Sequence, residues 1–161
     1  MVDNLTAEHR RACMASIRSK DTTPELRVRS VVYAMGYRYR LHVRTLPGAP
    51  DLVFPGRRKV IFVHGCFWHR HRCKRGQPVP KTRSDYWLPK LEGNRVRDLQ
   101  HRRQLRKLGW DVMIVWECQT QAKRIDWLRR RIAAFLESAR YAEMRGSQRI
   151  EDRGAGVNFS H

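Results

Sequence analysis

The stretch Val60–Cys73, VIFVHGCFWHRHRC, runs an apolar segment straight into three histidines and two cysteines. A buried strand ending in so many metal-ligating side chains fixes where the chain must leave the core, and sets a chemically loaded loop at that point. Thiolate is a better zinc ligand than imidazole, and a closed structural site takes four ligands in a tetrahedron. Cys66, His71 and Cys73 supply three. Cys118 is the natural fourth, because it lies just past a second apolar run, DVMIVWE, where the chain can return to the same edge of a sheet. His64 and His69 are then left free of the zinc.

The charge balance names a partner. Lys+Arg 34 against Asp+Glu 15 gives a net charge of +19, spread along the chain and interleaved with Trp and Tyr, which is the footprint of a nucleic-acid binder. At 161 residues there is room for one domain with a real core. No stretch has the length of a membrane span, and the start MVDNLTAEHRR lacks the apolar core of a signal peptide, so a cytoplasmic protein without a membrane partner is expected. The four cysteines, Cys13, Cys66, Cys73 and Cys118, are then better suited to metal or burial than to disulfides.

Residues 1–20 read as a basic arm, 21–140 as the folded domain and 141–161 as a disordered tail. DTTPELRVRSVVYAMG predicts a helix, with a Thr22/Glu25 capping box, Pro24 in its first turn and Gly36 as its stop. Tyr37–Val43 alternates as a half-buried strand. DLVF and KVIFVH form a hairpin around Pro55–Arg58. After an irregular segment through Asp85–Trp87, EGNRVRDLQHRRQLRKLG predicts a helix with Val96, Leu99, Leu105 and Leu108 inward. DVMIVWE reads as a central strand buried on both faces, and IDWLRRRIAAFLESA as a final amphipathic helix with Ile125, Leu128, Ile132, Phe135 and Leu136 inward. The order predicts an α/β fold, a central mixed sheet flanked by helices, with a helical crossover before the last strand.

A short hairpin sets the start of one strand beside the end of its partner, so Asp51 and His64 should lie close together. A carboxylate next to imidazoles at strand ends suits phosphodiester hydrolysis with Mg²⁺ and an acid or base. On the residues alone, Asp51 serves equally well as a turn cap and His69 as a surface residue.

Five ordered blocks, TTPELRVRS, LPGAPDLVF, VIFVHGCFWHRHRC, KTRSDYWLPKLEGNRVRD and LGWDVMIVWEC, resemble the very-short-patch repair (Vsr) endonucleases, a restriction-endonuclease-like family. The resemblance implies Mg²⁺-dependent nicking of double-stranded DNA on the 5′ side of the thymine in a T·G mismatch, the product of 5-methylcytosine deamination. It implies Asp51 as a metal ligand together with the main-chain carbonyl of Val63, and His69 as the acid/base group. His64 and Glu25 become supporting catalytic residues, Glu25 through metal-bound water. Cys66, His71, Cys73 and Cys118 fall on the family's structural zinc ligands, and Phe67, Trp68 and Trp87 on wedges that enter the base stack beside the mismatch. Implied partners are mismatch-repair proteins and a cognate cytosine-5 DNA methyltransferase, for a monomer working at the bacterial nucleoid. The chain departs from related nucleases, which carry an acidic residue and a lysine in the strand after Asp51, and from some Vsr proteins, which have Thr at the place of Val63. Two other functions compete: a nuclease of the same fold in phage defence or restriction, and a non-catalytic zinc-containing DNA-binding module.

Overall fold

The computed structural model describes residues 20–81 and 83–139; most of the basic arm, with Cys13, and the C-terminal tail lie outside the described residues. The elements are α1 (Thr23–Ala34), β1 (Arg40–Leu41), β2 (Leu52–Phe54), β3 (Lys59–His64), α2 (Ser84–Lys107), β4 (Asp111–Trp116) and α3 (Ile125–Glu137). They form a mixed four-stranded sheet in the order β1-β2-β3-β4. The β2–β3 hairpin is antiparallel, and β3 runs parallel to β4 with α2 as the crossover. No described helix is long and apolar enough to cross a membrane.

The period of two along β3 divides the core. Ile61, with Leu52, Phe54, Met113 and Val115, faces a layer built by Val28 and Val32 of α1 and by Leu128, Ile132 and Leu136 of α3. Val60 and Phe62 face the other way, with Val53, Trp110 and Leu105 of α2. His64, two residues beyond Phe62, continues that second face. At the opposite end of β3, Lys59 is buried, and its Nζ donates to the carbonyls of Phe135 and Ser138 at 2.6 Å each, capping α3 at its negative end.

Five expectations are corrected. The strand over Tyr37–Val43 shrinks to Arg40–Leu41, because His42 takes a left-handed φ of 44° that no ladder accepts. Tyr37 and Tyr39 still pack on the core. The DVMIVWE strand lies at the sheet's edge and not its centre; only Met113 and Val115 are buried on it. Helix α2 begins at Ser84, so Asp85–Trp87 is helical, with Pro89 in its second turn. Of its expected inward residues only Leu105 is buried, whereas Val96, Leu99 and Leu108 are exposed. The buried apolar pair is Leu91 and Leu105, about four turns apart, and the face between them is polar. Finally, Thr22 is the N-cap of α1 without a side-chain bond to the backbone; its hydroxyl donates to Glu25 Oε1 at 2.9 Å instead.

Candidate active site and metal centre

The β2–β3 register sets Leu52 against Ile61. Continued by two positions, it brings Pro50 opposite Val63. Proline has no N–H, so the ladder stops there. Asp51 substitutes: its Oδ2 accepts the Val63 N–H at 2.7 Å. The N–H and C=O of a strand residue point to the same edge, so the Val63 carbonyl faces this gap and receives no ladder donor from Pro50. Burial pushes the Asp51 carboxyl up to about 6, against the Val63 bond, with Glu25 adding to the rise.

Glu25 is buried and held on both oxygens: Oε1 by Thr22, and Oε2 by the Asp21 N–H at 2.9 Å and Arg29 at 3.2 Å. His42 stands between the two carboxylates, 3.9 Å from Glu25 and 3.7 Å from Asp51, with Arg29 at 3.0 Å. The left-handed turn that ends β1 is what delivers this ring.

On the other wall, the rings of His64 and His69 stack with centroids 3.9 Å apart and planes 11° from parallel. His69 Nδ1 lies 2.5 Å from Asp98 Oδ2. Burial opposes ionisation of Asp98, but the His69 bond and the nearby His64 hold its carboxyl below the usual range. Burial, reinforced by His69, pushes His64 down to about 3. It is therefore a neutral ring at neutral pH, and its 3.9 Å approach to Asp98 is no ion pair. Glu25, His42, Asp51, His64, His69 and Asp98 all line one cavity of about 420 Å³.

The four expected zinc ligands also converge. One ligand atom from each of Cys66, His71, Cys73 and Cys118 lies within 4.8 Å of the others. His71 Nδ1 is 3.8 Å from Cys66 Sγ and 3.5 Å from Cys118 Sγ, close to the edge of about 3.6 Å that tetrahedral zinc–sulfur and zinc–nitrogen bonds generate. The Cys118 N–H points at Cys66 Sγ at 3.4 Å. Burial pushes the Cys66 thiol up to about 12, and a bound cation would offset that cost by stabilising the thiolate. Three sulfurs and one imidazole suit zinc. The loop closes through Gly76, where a Cβ would stand 2.1 Å from the His71 carbonyl oxygen. Residues 66–73 thus fold back on themselves before α2 begins.

Between the zinc loop and α2, Phe67, Trp68 and Trp87 form a half-buried aromatic cluster with ring centroids 5.1–6.0 Å apart. The Lys90 ammonium lies 5.8 Å from the Trp68 ring and 5.7 Å from the Trp87 ring. Asn94 fixes the loop by donating to the Trp68 carbonyl at 3.0 Å.

Glu25, Asp51, Val63, His64 and His69 thus line one cavity, the four Cys/His residues converge beside it, and Phe67, Trp68 and Trp87 pack together. Asp98, His42 and Arg29 were not singled out in the sequence. A signal for Asp98 existed: Leu91, Asn94, Asp98, His101 and Leu105 are spaced three and four apart and form one helical face. Following apolar residues alone hid it. His42 had no such signal, since it sat on the polar side of a predicted strand.

A model of the family described as DNA mismatch endonuclease Vsr matches residues 2–75. The type II nicking enzyme V.XorIIP of Xanthomonas oryzae pv. oryzae is 55% identical over 119 residues, covering 74% of this chain and 87% of that protein. V.NmeAIP, a type II nicking enzyme of Neisseria meningitidis serogroup A, is 40% identical, covering 78% and 89%. The DNA mismatch endonuclease Vsr of Escherichia coli K12 is 43% identical, covering 68% and 70%.

Proposed function

The chain belongs to the Vsr family of DNA mismatch endonucleases and is a DNA nicking endonuclease of restriction-endonuclease-like fold; we propose that it nicks one strand of duplex DNA on the 5′ side of the thymine in a T·G mismatch. The observation that carries this reading is the His69–Asp98 bond facing Asp51 across one cavity. Donating Nδ1–H to Asp98 leaves the Nε2 lone pair of His69 for a proton, so His69 takes the proton of the attacking water and Asp98 steadies the charge that develops. Neutral His64, stacked behind it, fixes the plane of the ring.

The residues around Asp51 fit Mg²⁺: a desolvated carboxylate, the Val63 carbonyl without a ladder donor, and Glu25 on the same cavity wall are hard oxygen donors. Bound there, Mg²⁺ supplies electrostatic stabilisation at the scissile phosphate. Asp51 and the Val63 carbonyl would hold it, with Glu25, fixed by Arg29 and Thr22, as a further carboxylate beside it. Cys66, His71, Cys73 and Cys118 would hold a structural zinc, which would tie the His69 loop to the residues after β4. Phe67, Trp68 and Trp87 enter the stack beside the mismatch, where unstacking costs least. The surplus of basic side chains supplies the phosphate contacts.

The test is single-turnover nicking, with and without Mg²⁺, of matched and T·G duplexes across varied flanks. Nicking 5′ of the mismatched thymine is expected. Equal cleavage of matched duplex at a fixed sequence would replace mismatch repair with the competing reading, a nuclease of the same fold in phage defence or restriction; V.XorIIP and V.NmeAIP are named type II nicking enzymes.

A further inference from the structure

The stacked rings of His64 and His69 form a wall with two sides. Behind the side that faces Asp51 lies a second cavity of about 370 Å³, which shares His64, His69 and Asp98 with the first. Its remaining polar lining is dominated by Arg70, Arg72, Arg95 and Arg102. The one carboxylate there, Asp98, is already bonded to His69. Among the described residues none of the four guanidinium groups has a carboxylate partner; Arg70 donates to the Gln77 carbonyl at 3.1 Å, and the buried Nε of Arg102 has no hydrogen-bond partner. Ile114 and Trp116 form apolar wall beside them, which lowers screening. Four cations gathered with none neutralised repel one another, and an anion entering the cleft would remove that cost.

We propose that this arginine cleft holds a backbone phosphate of the cleaved strand, adjacent to the phosphate being hydrolysed. The inference rests on the nicking reading above. Guanidinium presents paired N–H donors that match phosphate oxygens. The two cavities share an imidazole wall, so phosphates occupying both would belong to neighbouring nucleotides of one strand. The cleft therefore sets the register of the strand, so that one phosphodiester bond and no neighbour falls between His69 and Asp51.

The experiment compares wild type with the Arg95→Gln/Arg102→Gln double variant, on T·G duplexes in which one neutral methylphosphonate is walked along the cleaved strand. Single-turnover nicking is read with Mg²⁺, and DNA affinity by fluorescence anisotropy without added Mg²⁺. On unmodified duplex the variant should bind about tenfold more weakly, with a salt slope shallower by about 0.9, the share of the single phosphate it no longer neutralises. At one position next to the nick, the methylphosphonate should cost wild type a similar factor and cost the variant nothing more. Losses that multiply at every position, or a wild type indifferent to neutralisation beside the nick, overturn the proposal and leave a merely basic surface. Should the double variant fail to melt like wild type, Arg95→Gln alone, at an exposed site on α2, carries the same comparison. A wild type that binds without nicking overturns the nicking reading, and the affinity arm still decides the cleft.

Discussion

The zinc cluster and the Asp51–His69 cavity hang from the same end of β3, yet they are assembled in opposite ways. Three of the four zinc ligands come from eight consecutive residues, 66–73, and the fourth from the end of the neighbouring parallel strand. The residues that line the cavity come from α1, the β1–β2 loop, β3, the Cys/His loop and α2, brought together by sheet register and helix phase. A metal bound to the first site would hold it together; the second depends on the fold being correct everywhere. Removing a zinc ligand should therefore damage folding, whereas changing a reacting group should damage chemistry alone.

The largest effect should come from Cys118→Ser. Apparent binding free energies at structural zinc sites, about 10–16 kcal/mol, rival the whole stability of a domain. Zinc content should fall to background and the cooperative melt should be lost. Gly76→Ala should do the same without replacing a ligand side chain, since its Cβ would collide with the His71 backbone. Metal analysis and calorimetry check both, and a variant that melts like wild type would break the contrast.

Next comes His69→Gln, which should slow the chemical step by about 10²–10⁴ while zinc content and melting temperature stay as in wild type. Asp98→Asn should reproduce a large part of that loss, because the amide leaves His69 in the wrong hydrogen-bonding partnership. A wild-type rate for either in single turnover would remove the pair from the mechanism.

The same division decides what could be read from the sequence. Ligands crowded into eight residues announce themselves by spacing, and so did Cys118 once it was placed at the end of an apolar strand. Asp51 and His64 were legible because a short hairpin leaves little freedom in which residues meet. Asp98 was hidden: its helix turns a polar face inward between Leu91 and Leu105, so the rule that apolar residues mark the inner face pointed to Val96 and Leu99, which are exposed. His42 depends on one left-handed residue ending a strand after two positions, a choice made by the loop's tertiary fit. The edge position of β4 was missed because a nearly continuous apolar run looks alike at an edge covered by helices and in a sheet's centre.

A smaller effect concerns pH and carries opposite signs for two groups. Folded Asp51 keeps its proton up to about pH 6 instead of 3.8, so its contribution to stability is full below about pH 4 and declines as pH rises to 6. His64 runs the other way: its pKa drops from 6.5 to about 3, so its contribution is full above pH 6.5 and is lost as pH falls towards 3. Asp51→Asn should accordingly stabilise the Mg²⁺-free protein at pH 7–8, by on the order of 2 kcal/mol, while abolishing nicking. Added Mg²⁺ should narrow that gap by stabilising only wild type. Melting curves at pH 4.5 and 7.5, with and without Mg²⁺, test this; a variant less stable than wild type at pH 7.5 would mean that the Val63 bond outweighs the burial of charge.

The smallest effect is the sharpest probe of what the joined sites do together. Trp68 belongs to the Cys/His loop by sequence and to the aromatic cluster on α2 by packing, so it links that loop to the helix that carries Asp98. A wedge acts most where the base stack is already weak, whereas phosphate contacts act almost equally on any duplex. Trp68→Ala should lower the preference for T·G over matched duplex by about tenfold, some 1.4 kcal/mol, and leave affinity for matched duplex nearly unchanged. Replacing Lys90 with Gln, which removes the cation beside the same ring, should weaken both duplexes alike. Melting must be compared first, because an aromatic ring that served only as core would cost about 3–5 kcal/mol of folding on truncation. If the Trp68 variant melts like wild type and discriminates like it, Trp68 is not a wedge and the mismatch is read elsewhere.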